Sequence, residues 1–132
     1  MADGEGATRV VEVRIERAAT AKDARLAARA IANSPLLKCA INGGDPNWDR
    51  VVSAVGYSGA KMDEKKMRHW IGEERVYSRG TPTDFDRAKC ETHMRGNRVL
   101  LRVDLGLGKA AYTCWTCDLS KEYVSINADY HT

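Results

Sequence analysis

The chain opens, over Thr8–Glu16, with a strict alternation of apolar and polar positions. A period of two predicts a strand with one buried face. The apolar residues then recur at three- and four-residue spacing, which predicts a helix over Ala21–Ala32 with Thr20 as its cap. The apolar stretch Leu36–Asn42 follows a proline, and we expect it to form a second strand that completes a strand-helix-strand unit.

Two further helices are predicted in the middle of the chain. A turn-rich segment precedes the first, which starts at Pro46, is capped by Asp45 and is ended by the segment Gly56–Gly59. Proline is favoured in the first turn of a helix because its fixed φ suits that position and its missing N–H would be unpaired there. The second predicted helix is Asp84–Met94, with Thr83 or Asp84 as the cap.

The remaining patterned segments predict strands. Arg68–Ile71 and Arg75–Ser78 flank a short turn and are expected to pair as a hairpin. In the last third, three runs alternate like strands, namely Val99–Leu105, Ala111–Leu119 and Tyr123–Asn127. The predicted fold class is therefore α+β, in the order β-α-β-α-β-β-α-β-β-β, with helices packed on one face of a sheet.

Size and charge narrow the classes of function. The 132 residues are enough for a single domain or a piece of one, and 43% hydrophobic with 30% charged residues is an ordinary globular balance. The net charge is only +3, and basic residues are interspersed with acidic ones, so we expect no nucleic-acid partner. No apolar run reaches the roughly 18 residues of a membrane span, so no membrane partner is expected either.

The four cysteines do not form a metal-binding pattern. Cys114 and Cys117 make a C-x-x-C, but zinc needs a second closely spaced ligand pair, and the remaining cysteines and histidines are dispersed. A redox C-x-x-C stands at a helix N-terminus, whereas this one falls within a predicted strand. The cysteines are expected to be structural, buried or half-buried, and no metal is expected.

Spacing alone assigns no nucleophile-base pair and no phosphate loop, but several longer strings are more specific. In chain order they are Asp3–Thr8 (DGEGAT), Ala32–Leu36 (ANSPL), Asp45–Trp48 (DPNW), Arg102–Gly106 (RVDLG) and Ile126–Tyr130 (INADY). Together they resemble the ornithine acetyltransferase family, also called the ArgJ family. Asp49 departs from the glycine that usually follows the tryptophan in that family, which leaves the geometry of this loop open.

The resemblance implies a layered sheet-and-helix domain of the DmpA/ArgJ-like fold, truncated at its N-terminal side. In that family a precursor cleaves itself before a threonine, which becomes the nucleophile at the start of a β chain. Residues 1–132 would be the single C-terminal portion of such a β chain, with the nucleophile-bearing segment upstream. Acetyl passes from N-acetylornithine to the threonine, ornithine leaves, and glutamate accepts the acetyl group.

The same resemblance implies substrate-binding roles for Glu5, Asn127 and Thr132, and it assigns no catalytic residue to this chain. The Glu5 carboxylate, between two glycines, suits a cationic amino acid, and the Asn127 amide can both donate and accept. Thr132 offers a hydroxyl and, at a true terminus, a carboxylate. Without the resemblance, a solvated glutamate, a turn asparagine and a frayed terminus would be the ordinary interpretations.

The implied partners are an α chain and the rest of the β chain, in an α2β2 assembly. No resident cofactor is implied, although acetyl-CoA is a potential second acetyl donor. The implied location is the cytoplasm, or the mitochondrial matrix in a eukaryote. We expect the chain alone to lack acetyltransferase activity and, with an exposed sheet edge, to self-associate.

Two alternative functions stay open at this point. One is a non-catalytic interaction domain or remnant of the same fold. The other is a nucleic-acid-binding sheet whose exposed aromatic residues stack on bases. The aromatic residues that would supply the stacking surface are Trp70, Tyr77, Tyr112, Trp115 and Tyr123.

Overall fold

Six strands and four helices make up the computed structural model, which describes residues 10–117. The strands are β1 (Val10–Ala18), β2 (Arg68–Ile71), β3 (Glu74–Ser78), β4 (Thr81–Pro82), β5 (Arg98–Asp104) and β6 (Ala110–Cys117). The helices are α1 (Ala21–Ala32), α2 (Pro35–Asn42), α3 (Trp48–Tyr57) and α4 (Arg87–Met94). The predicted final strand, Tyr123–Asn127, lies outside the described residues.

All six strands join one sheet in the order β4-β3-β2-β5-β1-β6. β1 lies between β5 and β6, because it pairs parallel with β5 and antiparallel with β6. The other neighbouring pairs are antiparallel. The sheet is therefore mixed, and the predicted α+β class is confirmed.

The core lies between the sheet and the helices. Val11, Val13 and Ile15, at alternate positions of β1, have no exposed surface, as the alternation predicted. Val13 has Leu101 as its partner in β5 and Cys114 as its partner in β6, so this face of the three strands is continuous.

Helix α1 has the predicted bounds and covers β1 and β6. The Thr20 hydroxyl accepts from the N–H of Asp23 at 3.0 Å and satisfies one of the unpaired donors of the first turn. Alanines form most of its buried stripe, which lets the helix backbone approach the sheet closely. The Cys114 thiol lies 3.8 Å from the carbonyl oxygen of Ala28 as a result.

The prediction of a strand over Leu36–Asn42 is wrong, because these residues belong to helix α2. Ser34 caps this helix by accepting from the N–H of Leu37 at 3.2 Å, and Pro35 occupies its first turn. Leu37 and Ile41, four residues apart, are buried, while Leu36 is 59% exposed. This is the spacing of one helical face, and the strand-helix-strand unit does not form.

The other two helices start later than predicted. Asn47 rather than Asp45 caps α3, and it accepts from the N–H of Arg50 at 3.1 Å. Asp86, not Thr83 or Asp84, caps α4. The Thr83 hydroxyl donates instead to the carbonyl oxygen of Arg75 in β3.

The predicted hairpin of β2 and β3 is present, and a two-residue strand, β4, extends it. Ser78 pairs with Thr81, which leaves Arg79 and Gly80 as a two-residue loop with φ of 53° and 96°. Positive φ at both central residues is the type I′ pattern, in which Asn-Gly is the ordinary sequence.

A second arginine, Arg17, has a φ of 55° at an irregularity in the β1–β6 ladder. Its carbonyl oxygen accepts from the N–H groups of Leu107 at 2.8 Å and Gly108 at 3.0 Å, which holds the backbone in place. Arg17 and Arg79 are the two non-glycine residues with positive φ within residues 10–117. Each left-handed conformation costs about 1 kcal/mol or more.

The face of β1 and β5 turned away from the core carries charged residues. The Nε of Arg102 lies 2.9 Å from Glu16, and its guanidinium lies 4.0 Å above the ring of Trp70. Arg14 pairs with Glu12 on the same strand at 2.8 Å. Within the described residues, no helix has the length and apolar character needed to cross a membrane.

Candidate functional site

The two ends of the described chain meet at one end of the sheet. Val10 and Cys117 are partners in the β1–β6 ladder, and the N–H of Val10 donates to the carbonyl oxygen of Asn97 at 2.9 Å. The described part of the chain therefore begins and ends on neighbouring strands. We call this the Val10 end of the sheet.

All three predicted substrate-binding residues lie outside the described residues. Glu5 belongs to the segment before Val10, while Asn127 and Thr132 belong to the segment after Cys117. The structure thus neither groups nor separates their side chains. It does place Val10 and Cys117, the two ends of the described chain, at the same end of the sheet.

A cleft with a volume of about 190 Å³ opens at the Val10 end, and we call it the upper cleft. Its lining includes the carboxylate of Glu12, the guanidinium of Arg98 and the indole of Trp115. A carboxylate and a guanidinium in one cleft are complementary to the ammonium and carboxylate groups of an amino acid. Trp115, which is 62% exposed, adds an apolar wall.

His93, on α4, forms another wall of the upper cleft. Its Nε2 accepts from the N–H of Leu100 at 2.9 Å, which requires a ring that carries its proton on Nδ1. Burial lowers the pKa of His93 from its ordinary value, which agrees with a neutral ring. A Cβ on Gly72, where φ is 61°, would lie 2.9 Å from the imidazole, so only glycine leaves room for this contact.

A second cleft, of about 460 Å³, also has His93 in its wall and lies between the β2–β3 turn and α4. Its lining carries both signs of charge beside apolar side chains, namely Glu73, Glu74 and Lys89 with Ile71 and Leu100. One neutral imidazole thus lines two neighbouring clefts. Its Nε2 already accepts from Leu100, so the N–H of Nδ1 is the group left to donate a hydrogen bond.

Sequence reasoning missed the groups of the upper cleft. Glu12 occupies one of the outward positions of the predicted alternation, which was the only available signal. Its proximity to Arg98 depends on the parallel pairing of β1 with β5, which joins residues more than eighty positions apart. His93 reaches the cleft only because α4 packs against β5.

The cysteines differ from one another in burial. Cys90 is buried as predicted, and burial raises the pKa of its thiol to about 11. Cys114 is half-buried in β6, in agreement with the prediction that the C-x-x-C falls within a strand. Cys39 is exposed, so the prediction was wrong there, because α2 turns this side chain toward solvent. Within residues 10–117 no three potential metal ligands cluster.

The aromatic residues do not form one continuous stacking surface in the described part of the chain. Tyr77 is 3% exposed and stacks on Trp48, with ring centroids 5.5 Å apart. Tyr112 packs against the core, and Trp70 lies beneath Arg102. Trp115 is the exposed member of the described set.

Comparison with known proteins gives the family. The model of the ArgJ family matches residues 1–132. The chain belongs to the ArgJ family. The likeness stated above on five ordered strings is thereby confirmed over the whole length of the sequence.

Two relatives show how far the ArgJ likeness extends. The arginine biosynthesis bifunctional protein ArgJ of Dehalococcoides mccartyi is 45% identical over 130 residues, which are 98% of this chain and 32% of the relative. The protein of the same name from Deinococcus radiodurans is 49% identical over 131 residues, which are 99% of this chain and 33% of the relative. The chain thus spans about a third of the length of these curated relatives.

A solved ArgJ structure confirms the fold. The crystal structure of the arginine biosynthesis bifunctional protein from Bacillus halodurans superposes with a TM-score of 0.88 at 36% sequence identity. The match covers 96% of this chain and 60% of that one. The mixed sheet and its helices are therefore those of an ArgJ protein.

Proposed function

We propose that the chain is part of a glutamate N-acetyltransferase of arginine biosynthesis, which moves acetyl from N-acetylornithine to glutamate. The family match over residues 1–132 carries this proposal. The names of the relatives support the place in arginine biosynthesis. Acetyl-CoA is a second acetyl donor in the proposal, and the cytoplasm is the proposed location.

In this proposal the covalent chemistry belongs to a segment that precedes this chain in the complete enzyme. A threonine there takes the acetyl group, ornithine leaves, and glutamate then attacks the acyl-enzyme. The complete enzyme is an α2β2 assembly made by self-cleavage of a precursor. Residues 1–132 contribute substrate contacts and no nucleophile, so the chain alone is inactive.

Glu5, Asn127 and Thr132 are the proposed substrate contacts. The Glu5 carboxylate would pair with the side-chain ammonium of ornithine, and the Asn127 amide would hydrogen-bond the amino-acid backbone. Thr132 would add its hydroxyl. Val10 and Cys117, the two ends of the described chain, are ladder partners, and this supports a shared location for the three.

The upper cleft, which described residues line, supports the same location for the substrate. Arg98 and Glu12 present opposite charges there, as an amino-acid substrate requires. Glu12 is already held by Arg14 at 2.8 Å, so its carboxylate is oriented before a substrate arrives. We assign these two side chains a supporting role in holding the substrate at the Val10 end.

Reconstitution tests the proposal. The chain is combined with the preceding part of an ArgJ relative, and transfer of acetyl from N-acetylornithine to glutamate is measured. We expect no turnover from the chain alone and clear turnover from the assembly. Glu5→Gln should lower kcat/KM at least tenfold, whereas Asp84→Asn, the same neutralisation at an exposed loop position, should not change it.

A correctly assembled but inert complex would contradict the proposal and favour a non-catalytic interaction domain of the same fold. Size and near-UV circular dichroism of the complex must be checked first, so that inactivity is not a failure of assembly. Turnover that Glu5→Gln does not change would support the enzymatic function but would show that Glu5 does not contact the substrate.

A further inference from the structure

A basic cleft lies at the end of the sheet opposite the Val10 end. It has a volume of about 250 Å³ and combines residues from the end of β1, the segment before β2, the β3–β4 turn and the residues after β5. The residues that line this basic cleft are Arg17, Lys65, Lys66, Arg68, Arg79 and Gly106. Five of these six side chains are cationic.

One carboxylate balances this charge. Asp104 Oδ2 lies 3.2 Å from Arg17 Nη1, and the other carboxylate oxygen accepts from the N–H of Gly106 at 2.8 Å. Among the described residues, the other four cations of the cleft form no ion pair with a carboxylate. The basic cleft therefore has a local excess of positive charge, which attracts anions.

Arg68 supplies a donor that lacks an acceptor. Its Nε is buried and has no hydrogen-bond partner within the described residues. Buried guanidinium N–H groups are ordinarily paired, because leaving one unpaired costs the free energy of its lost hydration. A turn of the Arg68 side chain toward the cleft would let an oxyanion supply the missing acceptor.

Two unusual backbone conformations also occur at this cleft. Arg17 and Arg79, the two non-glycine residues with positive φ among residues 10–117, both line it. At Arg79 asparagine or glycine would relieve the strain, and neither would carry the charge. Strained conformations at side chains that share one cleft indicate that the side chains themselves are needed there.

We propose that the basic cleft binds a phosphate-type anion with two linked phosphate groups. Guanidinium forks donate pairs of parallel hydrogen bonds to tetrahedral oxyanions, and lysines add point charges. A single phosphate would leave much of a 250 Å³ cleft empty, whereas a diphosphate fills more of it and carries more charge to match the five cations. The cleft is separated from the Val10 end by the length of β1, roughly 25 Å, so this site does not depend on the proposed acetyl transfer.

Calorimetric titration of the purified chain with inorganic pyrophosphate, at constant ionic strength, tests the proposal. We expect saturable binding to one site, weakened at least tenfold by Arg79→Asn and by Arg68→Gln. Arg79→Asn places the preferred residue in the turn, so its thermal stability should be kept or raised while binding is lost. Arg29→Gln, which removes one charge from the exposed end of α1, should bind as tightly as the wild type.

A further ligand, ADP, identifies the source of the diphosphate. ADP that binds as tightly as pyrophosphate would mean that the diphosphate alone is recognised, and tighter binding of ADP would mean a nucleotide ligand. The proposal is overturned if neither ligand gives saturable heat, if Arg29→Gln weakens binding as much as Arg79→Asn, or if a single-stranded oligonucleotide binds where pyrophosphate does not.

Discussion

His69 donates a hydrogen bond from Nδ1 to the carbonyl oxygen of Arg102 at 2.8 Å, which joins β2 to the neighbouring β5. The carbonyl can only accept, so Nδ1 carries the proton and the neutral ring has a bare Nε2. That Nε2 is buried without a partner in the described part of the chain. Burial therefore lowers the pKa of His69 to about 4.

The first prediction is a loss of stability in mild acid. The unfolded state, with a histidine pKa near 6.5, binds more protons than the folded state between pH 6.5 and 4. The contribution of His69 is complete above pH 6.5 and falls with pH, by about 3 kcal/mol by pH 4. Urea unfolding at pH 7, 5.5 and 4 measures the free energy of unfolding and therefore this loss. His69→Asn keeps a donor for Arg102 and cannot titrate, so an unchanged pH dependence in this variant would contradict the prediction.

The second prediction concerns thiol reactivity. Cys39 is exposed, whereas Cys90 is buried and burial raises its pKa to about 11, so its thiolate is scarce at neutral pH. In the native protein, iodoacetamide should modify Cys39 well before Cys90, and Cys90 should react readily only in denaturant. Peptide mass spectrometry over time follows both sites. Equal rates in the native protein would rule out the buried position of Cys90.

The third prediction compares two glycine substitutions. A Cβ on Gly106 would lie 2.7 Å from the carbonyl oxygen of Lys66, at a φ of 65°, so Gly106→Ala should lower the free energy of unfolding by about 2 kcal/mol. Gly56, inside α3, has nothing within 4 Å of its added Cβ. Gly56→Ala should raise the free energy of unfolding by about 0.5 kcal/mol, because alanine is the better helix former. Denaturant unfolding of both variants gives the comparison, and equal effects would refute the close approach at Gly106.

The fourth prediction is that the chain self-associates through β6. Among the described residues β6 pairs on one side only, with β1, and its Trp115 is 62% exposed. Apolar edge strands are templates for pairing between chains, and an inserted lysine opposes this. Sedimentation velocity should show concentration-dependent association that Trp115→Lys reduces. A monomer at high concentration in the unmodified chain would oppose this interpretation.

The elements predicted well were those with long, unambiguous periods. α1 has the predicted bounds, because its alanine stripe spans three turns between a threonine cap and a proline. β1 and β5 were also found, since each alternates over several residues. Leu36–Asn42 was misassigned because a short apolar run fits both a strand and a helix face. The Ser34 cap and the first-turn Pro35 were the signals that favoured the helix.

The residues of the candidate site were harder to predict from the sequence. Glu12, His93 and Arg98 come together through a strand pairing and a helix contact between distant parts of the chain, and neither is encoded in local spacing. The three residues inferred from family resemblance, in contrast, lie beyond residues 10–117 and stay predictions. The basic cleft could not be predicted for a similar reason, because its five cations come from three separate segments.

The position of β1 between β5 and β6 has a consequence for biosynthesis. The strand emerges from the ribosome more than eighty residues before either neighbour, so its two edges have no partner while the intervening chain is made. Closure of such a sheet requires long loops to be ordered first, which slows folding and prolongs exposure of the apolar strand. We therefore expect nascent chains of this protein to depend on chaperones until β6 has been synthesised.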